Sequence, residues 1–587
     1  MFNFFSNFKL KEWLLMILSA CLIVGQVFLD LKLPDFMNEI STSLAGGDIA
    51  MNDVWINGGY MLACALGSAL LAVITGFCVS RVAASFSKRL RSNIFNKVNS
   101  FSLNEMKKFS TASLITRSTN DVTQVQMAFV IGLQVLIKAP VMAIWAICKI
   151  LDKSWQWSAA TGVAIAFMLL VIVVILLLTF KRFKKIQKQT DAINGLAREN
   201  LKGIRVVRAY NAENYQEDKF NKANQDLTKT NMVTNGILSI LNPSMSLVMN
   251  GLTLSVYLIG AILINGAVGY DRVALFGDMV VFTAYAMQVV MSFMMLVMVF
   301  ILLPRAIASW QRIKEVINTD ISVKDGQGVT ISKTNTGKVE FKNVSFKYPG
   351  AEEYVLKNIS FTANPGETVA FIGSTGSGKS TLINLVPRFY DATEGEVLID
   401  GVNVKDMTLE QLHNKLGYVP QKAVLFSGTV NSNIAYGDNG EYKPTQEDIK
   451  TALKVAQGKD FVERMENKYE STIEQGGANV SGGQKQRLAI ARAIARNPEI
   501  YIFDDSFSAL DYKTDKKLRQ ELREHTQDST VLIVGQRIGT IKNANRIIVL
   551  DNGEMVGMGT HEELLKKCNV YKEIAYSQLS KEELGNE

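Results

Sequence analysis

Six long apolar segments precede residue 305, and they constrain the fold more than any other feature of this chain. The segments cover residues 13–33, 55–80, 126–150, 157–180, 236–265 and 274–303. Each is near or above the roughly 20 residues that an α-helix needs to cross a bilayer. We therefore expect six membrane-crossing helices in the first part of the chain and a soluble part after them.

Charged residues predict the orientation of these helices. The basic clusters around Arg89 and Arg182 directly follow apolar segments, whereas the loop 34–54 contains Asp and Glu but neither Lys nor Arg. This is the positive-inside pattern, which places the N-terminus and the soluble part in the cytoplasm. The net charge of +8 is therefore attributed to membrane orientation and not to nucleic-acid binding. We expect a multi-pass protein of the cell membrane, plasma or inner, in contact with lipid and without nucleic acid.

The gaps between the segments predict the domain organisation. The second-to-third and fourth-to-fifth gaps each contain about 45 to 55 residues, rich in Lys, Arg, Asn and Gln and without Pro. Their helical pattern predicts two long cytoplasmic hairpins. After residue 305 the sequence turns polar and rich in Gly, Ser, Thr and Asn, which is typical of a linker. We therefore expect a transmembrane domain over 1–305, a linker over 306–337 and a soluble domain over 338–580.

Lys138 lies inside the third apolar segment, some 12 residues from either end. At a rise of 1.5 Å per residue this is about 18 Å, which is farther than a lysine side chain easily reaches by snorkelling. Because a charge in hydrocarbon is costly, we expect its ammonium to face an aqueous cavity or a carboxylate. Two roles stay open, a residue of the substrate pathway or gate and a structural ion pair.

The soluble part contains a match to the phosphate-binding pattern G-x-x-x-x-G-K-[ST]. Its residues are Gly373, Ser374, Thr375, Gly376, Ser377, Gly378, Lys379, Ser380 and Thr381. An apolar run over 369–372 predicts a buried strand before it, and a helical pattern follows from Thr381 onward. Backbone N–H groups of such a loop cradle a polyphosphate, Lys379 reaches the β and γ phosphates, and the Ser380 hydroxyl can bind Mg²⁺. The expected cofactors are ATP and Mg²⁺.

Four further positions fit a nucleotide site. Tyr348 follows an alternating strand pattern and could stack on adenine, with a plain turn tyrosine as the alternative. Gln421 ends another strand and could contact Mg²⁺ or the attacking water. Asp504 ends a buried strand, where its carboxylate suits the Mg²⁺ shell. A helix opens at Ser481, Gly482, Gly483 and Gln484, where a helix N-terminus attracts anions.

These motifs in this order resemble those of ATP-binding cassette (ABC) transporters, and the six segments before them resemble the exporter-type half-transporters of that superfamily, multidrug exporters in particular. The resemblance implies an α-helical six-helix transmembrane domain followed by an α/β P-loop ATPase domain. It identifies Tyr348 as the adenine-stacking aromatic, Gln421 as the Q-loop residue and Asp504 as the Walker B aspartate. Residues 481–484 correspond to the signature, which in this family closes the ATP site of the other subunit, so that two cassettes sandwich two nucleotides.

Two residues depart from the family pattern. The Glu that follows the Walker B aspartate in the family is here Asp505, whose carboxylate is set back by about 1.5 Å, and a displacement of that order can cost a factor of about 100 in rate. The family's switch histidine aligns with Gln536, which can hydrogen-bond a phosphate but cannot carry charge. The resemblance therefore implies a degenerate, slowly hydrolysing ATP site and a partner half-transporter that has the consensus Glu and His.

The sequence thus predicts one half of a heterodimeric exporter that uses ATP to move hydrophobic or amphipathic small molecules, of the multidrug type, across the cell membrane. Its predicted catalytic residues are Asp505, Gln536 and Gln421. A lipid or peptide exporter, heterodimeric or homodimeric, is an alternative, as is a membrane sensor or regulator that responds to nucleotide binding. The six apolar segments exclude a soluble cassette protein of the DNA-repair or translation kind.

Overall fold

The computed structural model describes residues 9–45, 51–151, 153–268, 270–329, 336–437, 439–440 and 442–578. The chain forms two compact units. The first, the helical unit, extends to Lys97 and resumes from Ala112 to Asn318. The second, the α/β unit, comprises Val98–Thr111 and the chain from Thr319 onward. A short segment that lies between two predicted membrane crossings thus belongs to the α/β unit.

Ten α-helices occupy the described chain up to Ile317. They are α1 (Leu10–Ala45), α2 (Met51–Asn99), α3 (Leu103–Lys108), α4 (Thr111–Ser118), α5 (Asn120–Leu151), α6 (Trp155–Lys202), α7 (Ile204–Ala209), α8 (Glu213–Ser239), α9 (Leu241–Gly266) and α10 (Tyr270–Ile317). Six helical stretches among the described residues are long and apolar enough to cross a membrane, and each contains one predicted apolar segment. The prediction of six crossings is confirmed. Because α10 extends to Ile317, the first part of the range predicted as a linker is helical.

Side chains of α1, α5, α6, α9 and α10 form the hydrophobic core of the helical unit. Trp157 and Phe282 are fully buried in it, with ring centroids 5.4 Å apart. The indole N–H of Trp157 donates to the Val256 carbonyl at 3.1 Å, which satisfies the polar group of a buried tryptophan. This contact joins α6 to α9 inside the core.

Lys138 on α5 pairs with a carboxylate on α1. Its Nζ lies 3.2 Å from Asp30 Oδ2, and the Ser68 hydroxyl on α2 donates to the other carboxylate oxygen at 2.5 Å. The expectation of a carboxylate partner is confirmed. An apolar groove of about 250 Å³ lies between α5 and α10, and Ile137 lines it but Lys138 does not. The ammonium of Lys138 is therefore matched by Asp30 within its own unit.

Twelve β-strands lie in the described part of the α/β unit. They are β1 (Val339–Phe346), β2 (Leu356–Ala363), β3 (Thr368–Gly373), β4 (Glu394–Ile399), β5 (Val402–Asn403), β6 (Leu416–Val419), β7 (Gly428–Thr429), β8 (Thr472–Ile473), β9 (Ile500–Asp504), β10 (Thr530–Val534), β11 (Arg546–Asp551) and β12 (Glu554–Gly559). The main sheet has the order β12-β11-β3-β10-β9-β6 and is parallel except for β12. An antiparallel sheet has the order β2-β1-β4-β5, and β7 pairs with β8.

Ten α-helices of 4 to 14 residues follow β3 in the described part of the α/β unit. They are α11 (Lys379–Ile383), α12 (Leu409–Asn414), α13 (Val430–Ile434), α14 (Gln446–Val455), α15 (Lys459–Glu463), α16 (Gly482–Ala495), α17 (Tyr512–His525), α18 (Ile538–Ile541), α19 (His561–Lys567) and α20 (Asn569–Gln578). The helix predicted after the phosphate-binding pattern is α11, and it begins at Lys379, before the predicted Thr381.

The main sheet is buried on both faces. Along β10, Val531 and Ile533 pack into one hydrophobic core, whereas Leu532 and Val534 pack into another. A parallel sheet covered on both sides explains why its strands appear in the sequence as continuous apolar runs without alternation. The predicted succession of a six-helix membrane part and an α/β part is confirmed.

Candidate nucleotide-binding site

The carboxyl ends of the parallel strands meet at one edge of the main sheet, and the predicted site residues lie there. Gly373 ends β3 and Asp504 ends β9. Gln421 comes shortly after the end of β6, and Gln536 comes shortly after the end of β10. Because β3, β10, β9 and β6 are adjacent in the sheet, these positions are neighbours along its edge.

The phosphate loop connects β3 to α11. Gly378 has a φ of +94°, and a Cβ there would lie 2.7 Å from Leu356 Cδ2, so glycine suits both the conformation and the space. Lys379 is buried, and its Nζ donates to the carbonyl oxygens of Gly373 at 2.8 Å and Ser374 at 2.6 Å. These bonds hold the ammonium inside the loop. Burial lowers the pKa of Lys379 from its usual value.

Two oxygen ligands converge beside the loop. Ser380 Oγ donates to Asp504 Oδ1 at 2.8 Å. Hydroxyl and carboxylate oxygens are hard donors of the type that Mg²⁺ prefers, and phosphate oxygens and water usually complete its shell. Gln421, the third predicted ligand, lines the cavity at the phosphate loop together with Ser380, and its Nε2 donates to Asp505. The described residues contain no group of three or more His, Cys, Asp or Glu that could hold a metal ion. Burial and the negative charge of Asp505 raise the pKa of Asp504, and a bound cation would oppose that shift.

Asp505 contacts both glutamines that were predicted to share its site. Its Oδ2 accepts hydrogen bonds from Gln536 Nε2 at 2.8 Å and from Gln421 Nε2 at 3.3 Å. The side chain is only 8% exposed, and burial raises its pKa. The residue has a left-handed backbone with a φ of +46°, and its N–H donates to the Val534 carbonyl at 3.1 Å. The structure thus brings the three predicted catalytic residues into direct contact.

Tyr348 lies beside the C-terminal end of the phosphate loop. Its hydroxyl is 2.9 Å from Thr381 Oγ1. Its ring packs edge-on against Phe346 and Tyr390, with centroid distances of 5.0 Å and 5.3 Å. These contacts fix an aromatic ring next to the phosphate loop.

The signature residues lie apart from this cluster. Ser481 caps α16 in a capping box, in which the Gln484 side chain accepts from the Ser481 N–H at 2.9 Å. Ser481 and Gly482 are exposed. A cavity of about 250 Å³ lies along the phosphate loop, and Ser481, Gly482, Gly483 and Gln484 do not line it. Its lining residues are Val355, Thr375, Gly376, Gly378, Lys379, Ser380, Thr381, Gln421 and Gln536.

Sequence reasoning missed two residues that shape the site. Val355, which precedes β2, lines the cavity. Gln578 in α20 holds the loop that carries Gln536, because its Nε2 donates to the Gln536 carbonyl and its Oε1 accepts from the Ile538 N–H, both at 2.8 Å. Neither residue belongs to a local motif, so only the folded chain identifies their roles.

Known protein families match both units. The model of the ABC transporter family matches residues 356–508, and that of the ABC transporter transmembrane region matches residues 13–293. These matches include the phosphate loop, Asp504 and Asp505 in the first case and most of the membrane-crossing residues in the second.

Individual relatives extend the match over nearly the whole chain. An ABC transporter ATP-binding protein of Mycobacterium bovis is 38% identical over 521 residues, which is 89% of this chain and 87% of that protein. The ATP-dependent lipid A-core flippase of Pseudomonas aeruginosa is 32% identical over 498 residues, 85% of this chain and 81% of that protein. A solved structure of a bacterial Atm1-family ABC exporter with ATP bound has a TM-score of 0.81 and 26% identity, and the match covers 97% of this chain and 98% of that one. The chain therefore belongs to the ABC transporter family, as an exporter half-transporter with a multi-pass membrane domain and a cytoplasmic ATPase domain.

Proposed function

We propose that this half-transporter works with a different half-transporter as a heterodimeric exporter of hydrophobic or amphipathic small molecules. Its own Walker motifs form the slower of two ATP sites, with ATP and Mg²⁺ held by Tyr348, the phosphate loop and Asp504. The hydrolysis that drives transport takes place mainly at the other site. The partner supplies the Glu and His of that site, and residues 481–484 of this chain close it.

The contacts of Asp505 carry this proposal. A general base must come within about 2.6–3.2 Å of the proton that it takes, directly or through one water. Asp505 is one methylene shorter than Glu, and its Oδ2 already accepts two amide N–H groups. Gln536 adds no charge near the phosphate, since an amide does not titrate. The three side chains are better suited to hold a nucleotide than to activate water.

The exposed start of α16 supports a two-chain arrangement. Ser481 and Gly482 are exposed, and the cavity at this chain's phosphate loop is lined by other residues. The N-terminus of α16 is therefore available to a nucleotide that another chain binds, and helix N-termini favour phosphate.

The groove between α5 and α10 supports an apolar cargo. It encloses about 250 Å³ and is lined by apolar side chains that include Phe129, Leu136 and Trp310. Ligand pockets lined mainly by hydrophobic and aromatic side chains select for shape and apolar surface more than for one functional group. This favours a range of hydrophobic compounds over a single polar substrate.

The test is to trap nucleotide in each site separately. The chain should be purified alone and with a half-transporter that has the consensus Glu and His, and photoreactive ATP with vanadate should show which polypeptide retains ADP. We expect little ATPase activity from the lone chain and trapping mainly on the partner's Walker motifs. In the complex, Asp505→Ala should reduce transport only modestly, whereas removal of the partner's catalytic Glu should abolish it. Equal trapping in the two sites, or the reverse ranking of the two variants, would refute the proposal.

A lipid exporter is the second candidate, because a protein named as a lipid A-core flippase is 32% identical to this chain. The two candidates differ in cargo and can be separated in proteoliposomes. A multidrug-type exporter should move amphipathic dyes and be competed by them. A dedicated lipid exporter should move labelled lipid and leave the dyes in place.

A further inference from the structure

The segment Val98–Thr111 is firmly attached to the rest of the α/β unit. Ser102 caps α3 in a capping box with Glu105, whose side chain is only 4% exposed. Glu105 Oε1 accepts from the Ser322 N–H at 3.3 Å, and the Ser102 and Ser322 hydroxyls are 2.9 Å apart. These bonds fix α3 against the chain that leads into the first strand of the unit.

Lys107 on α3 lies over the ring of Tyr348. Its Nζ is 4.4 Å from the centroid of that ring and 5.3 Å from the centroid of Tyr390. The two rings are nearly perpendicular, with an interplanar angle of 87°, so the ammonium lies in the corner that they form. A cation within about 6 Å of a ring centroid is attracted by the negative face of the ring. A hydrogen bond to the Tyr390 hydroxyl raises the pKa of Lys107, whose amine is protonated at neutral pH even without this shift.

Segment 98–111 also forms part of the wall beside this ring. A cavity of about 240 Å³ is lined by Asn104 of α3 together with Ser322, Tyr348 and Tyr390. The ring of Tyr348 therefore contacts α3 on one side, through Lys107, and the phosphate loop on the other, through its hydroxyl and Thr381. A base that stacks on Tyr348 would act on a ring that α3 already holds.

We propose that Lys107 is a positioning residue for base recognition, because it holds the Tyr348 ring in place for stacking. Helix α3 thereby responds to the base of a nucleotide and not to its phosphates alone. The proposal rests on the proposed placement of adenine against Tyr348.

The test compares ATP with inorganic tripolyphosphate, which has the phosphates but no base. The full-length chain should be titrated with each, as the parent and as Lys107→Gln, Lys107→Arg, Lys108→Gln and Tyr348→Leu. The energy of an exposed cation–π contact corresponds to a factor of about two to five, so Lys107→Gln should weaken ATP binding by up to that factor and leave tripolyphosphate binding unchanged. Lys107→Arg should retain the parent affinity. Lys108→Gln is the matched control, since it removes the same charge from the neighbouring exposed position.

Hydrogen exchange reports the response of α3 itself, which a binding affinity does not show. ATP should slow exchange of the α3 amides in the parent, tripolyphosphate should not, and Lys107→Gln should abolish the difference. Two outcomes would overturn the role of Lys107 and leave the placement of the base intact. One is that Lys107→Gln weakens the binding of ATP and of tripolyphosphate equally. The other is that Lys107→Gln does not weaken ATP binding although Tyr348→Leu does. If Tyr348→Leu leaves ATP affinity unchanged, the placement of the base is wrong and the proposal falls with it.

Discussion

Two carboxylates of the helical unit and two at the nucleotide site of the α/β unit have different kinds of partner. In the helical unit, Asp30 faces the ammonium of Lys138, and Asp121 accepts from the Arg312 guanidinium, with its Nε at 2.8 Å, and from the Ser309 hydroxyl. In the α/β unit, Asp504 accepts from a serine hydroxyl and Asp505 from two glutamine amides.

The difference separates structural carboxylates from those of a binding site. An aspartate that is matched by Lys or Arg is neutralised within the fold and stabilises the packing of helices. An aspartate that accepts hydrogen bonds only from neutral donors has no cation of the fold bound to it, so it can bind a cation that arrives with the ligand. The positive charge of Lys379 opposes the raised pKa of both aspartates, but its Nζ donates hydrogen bonds to backbone carbonyls and not to either carboxylate. Three substitutions test this distinction.

The largest effect is expected from Lys138→Met. It leaves the Asp30 carboxylate without its cation, and an uncompensated charge inside a folded protein costs about 2–3 kcal/mol, less than a fully buried pair because both side chains are partly exposed. The double variant Asp30→Asn with Lys138→Met should recover most of the loss. Thermal unfolding in detergent measures the stability of the single and of the double variant. Lys450→Met, in an exposed pair with Glu447, is the control and should have no measurable effect.

The same double variant decides between the two roles that the sequence left open for Lys138. If the pair is structural, the double variant should both fold and transport. A double variant that unfolds at the parent temperature yet fails to transport would assign Lys138 to the substrate pathway or gate.

Lys379→Met tests the nucleotide site of the α/β unit. A charge-assisted hydrogen bond to phosphate contributes about 1.5–3 kcal/mol, so ATP affinity should fall by about 10- to 100-fold while the fold is retained. Equilibrium binding of labelled ATP to the full-length chain measures the change. The exposed Lys422 provides the control, and Lys422→Met should leave the affinity within the error of the assay. Loss of the folded state in Lys379→Met would indicate a structural role for this lysine.

The smallest effect is expected from Asp505→Asn, and it concerns how the stability of the protein depends on pH. Burial raises the pKa of Asp505 above its usual 3.8, so the nucleotide-free parent loses stability as the pH rises from 3.8 through the raised value. Asparagine does not titrate and tolerates the left-handed backbone at this position. The variant should therefore melt slightly above the parent at neutral pH, and the difference should vanish at acidic pH. A difference that is constant with pH, or one shared by the exposed control Asp528→Asn, would contradict the argument.

Local patterns predicted the parts of this structure that depend on neighbouring residues in the chain. The apolar segments gave the six crossings, and the apolar run before Gly373 gave β3, because burial on both faces leaves a continuous run. The same patterns located Asp504 and Gln421 at strand ends, and the sheet order then made them neighbours.

Partnerships across the chain could not be predicted in this way. Lys138 required a carboxylate, but its choice of Asp30 depends on how α1 and α5 pack. Gln578 acts on Gln536 only because α20 folds back to that loop. The domain limits predicted at residues 305 and 338 followed composition, which gives no indication that Val98–Thr111 belongs to the α/β unit.

That membership of Val98–Thr111 affects how the ATPase domain can be prepared as a reagent. A fragment that begins at Thr319 would lack α3, so the Ser322 N–H would lose the Glu105 carboxylate and the rings of Tyr348 and Tyr390 would lose Lys107. Nucleotide affinities measured on such an excised fragment would describe an incomplete protein. A fusion that restores residues 98–111 through a short tether would be the more faithful minimal version.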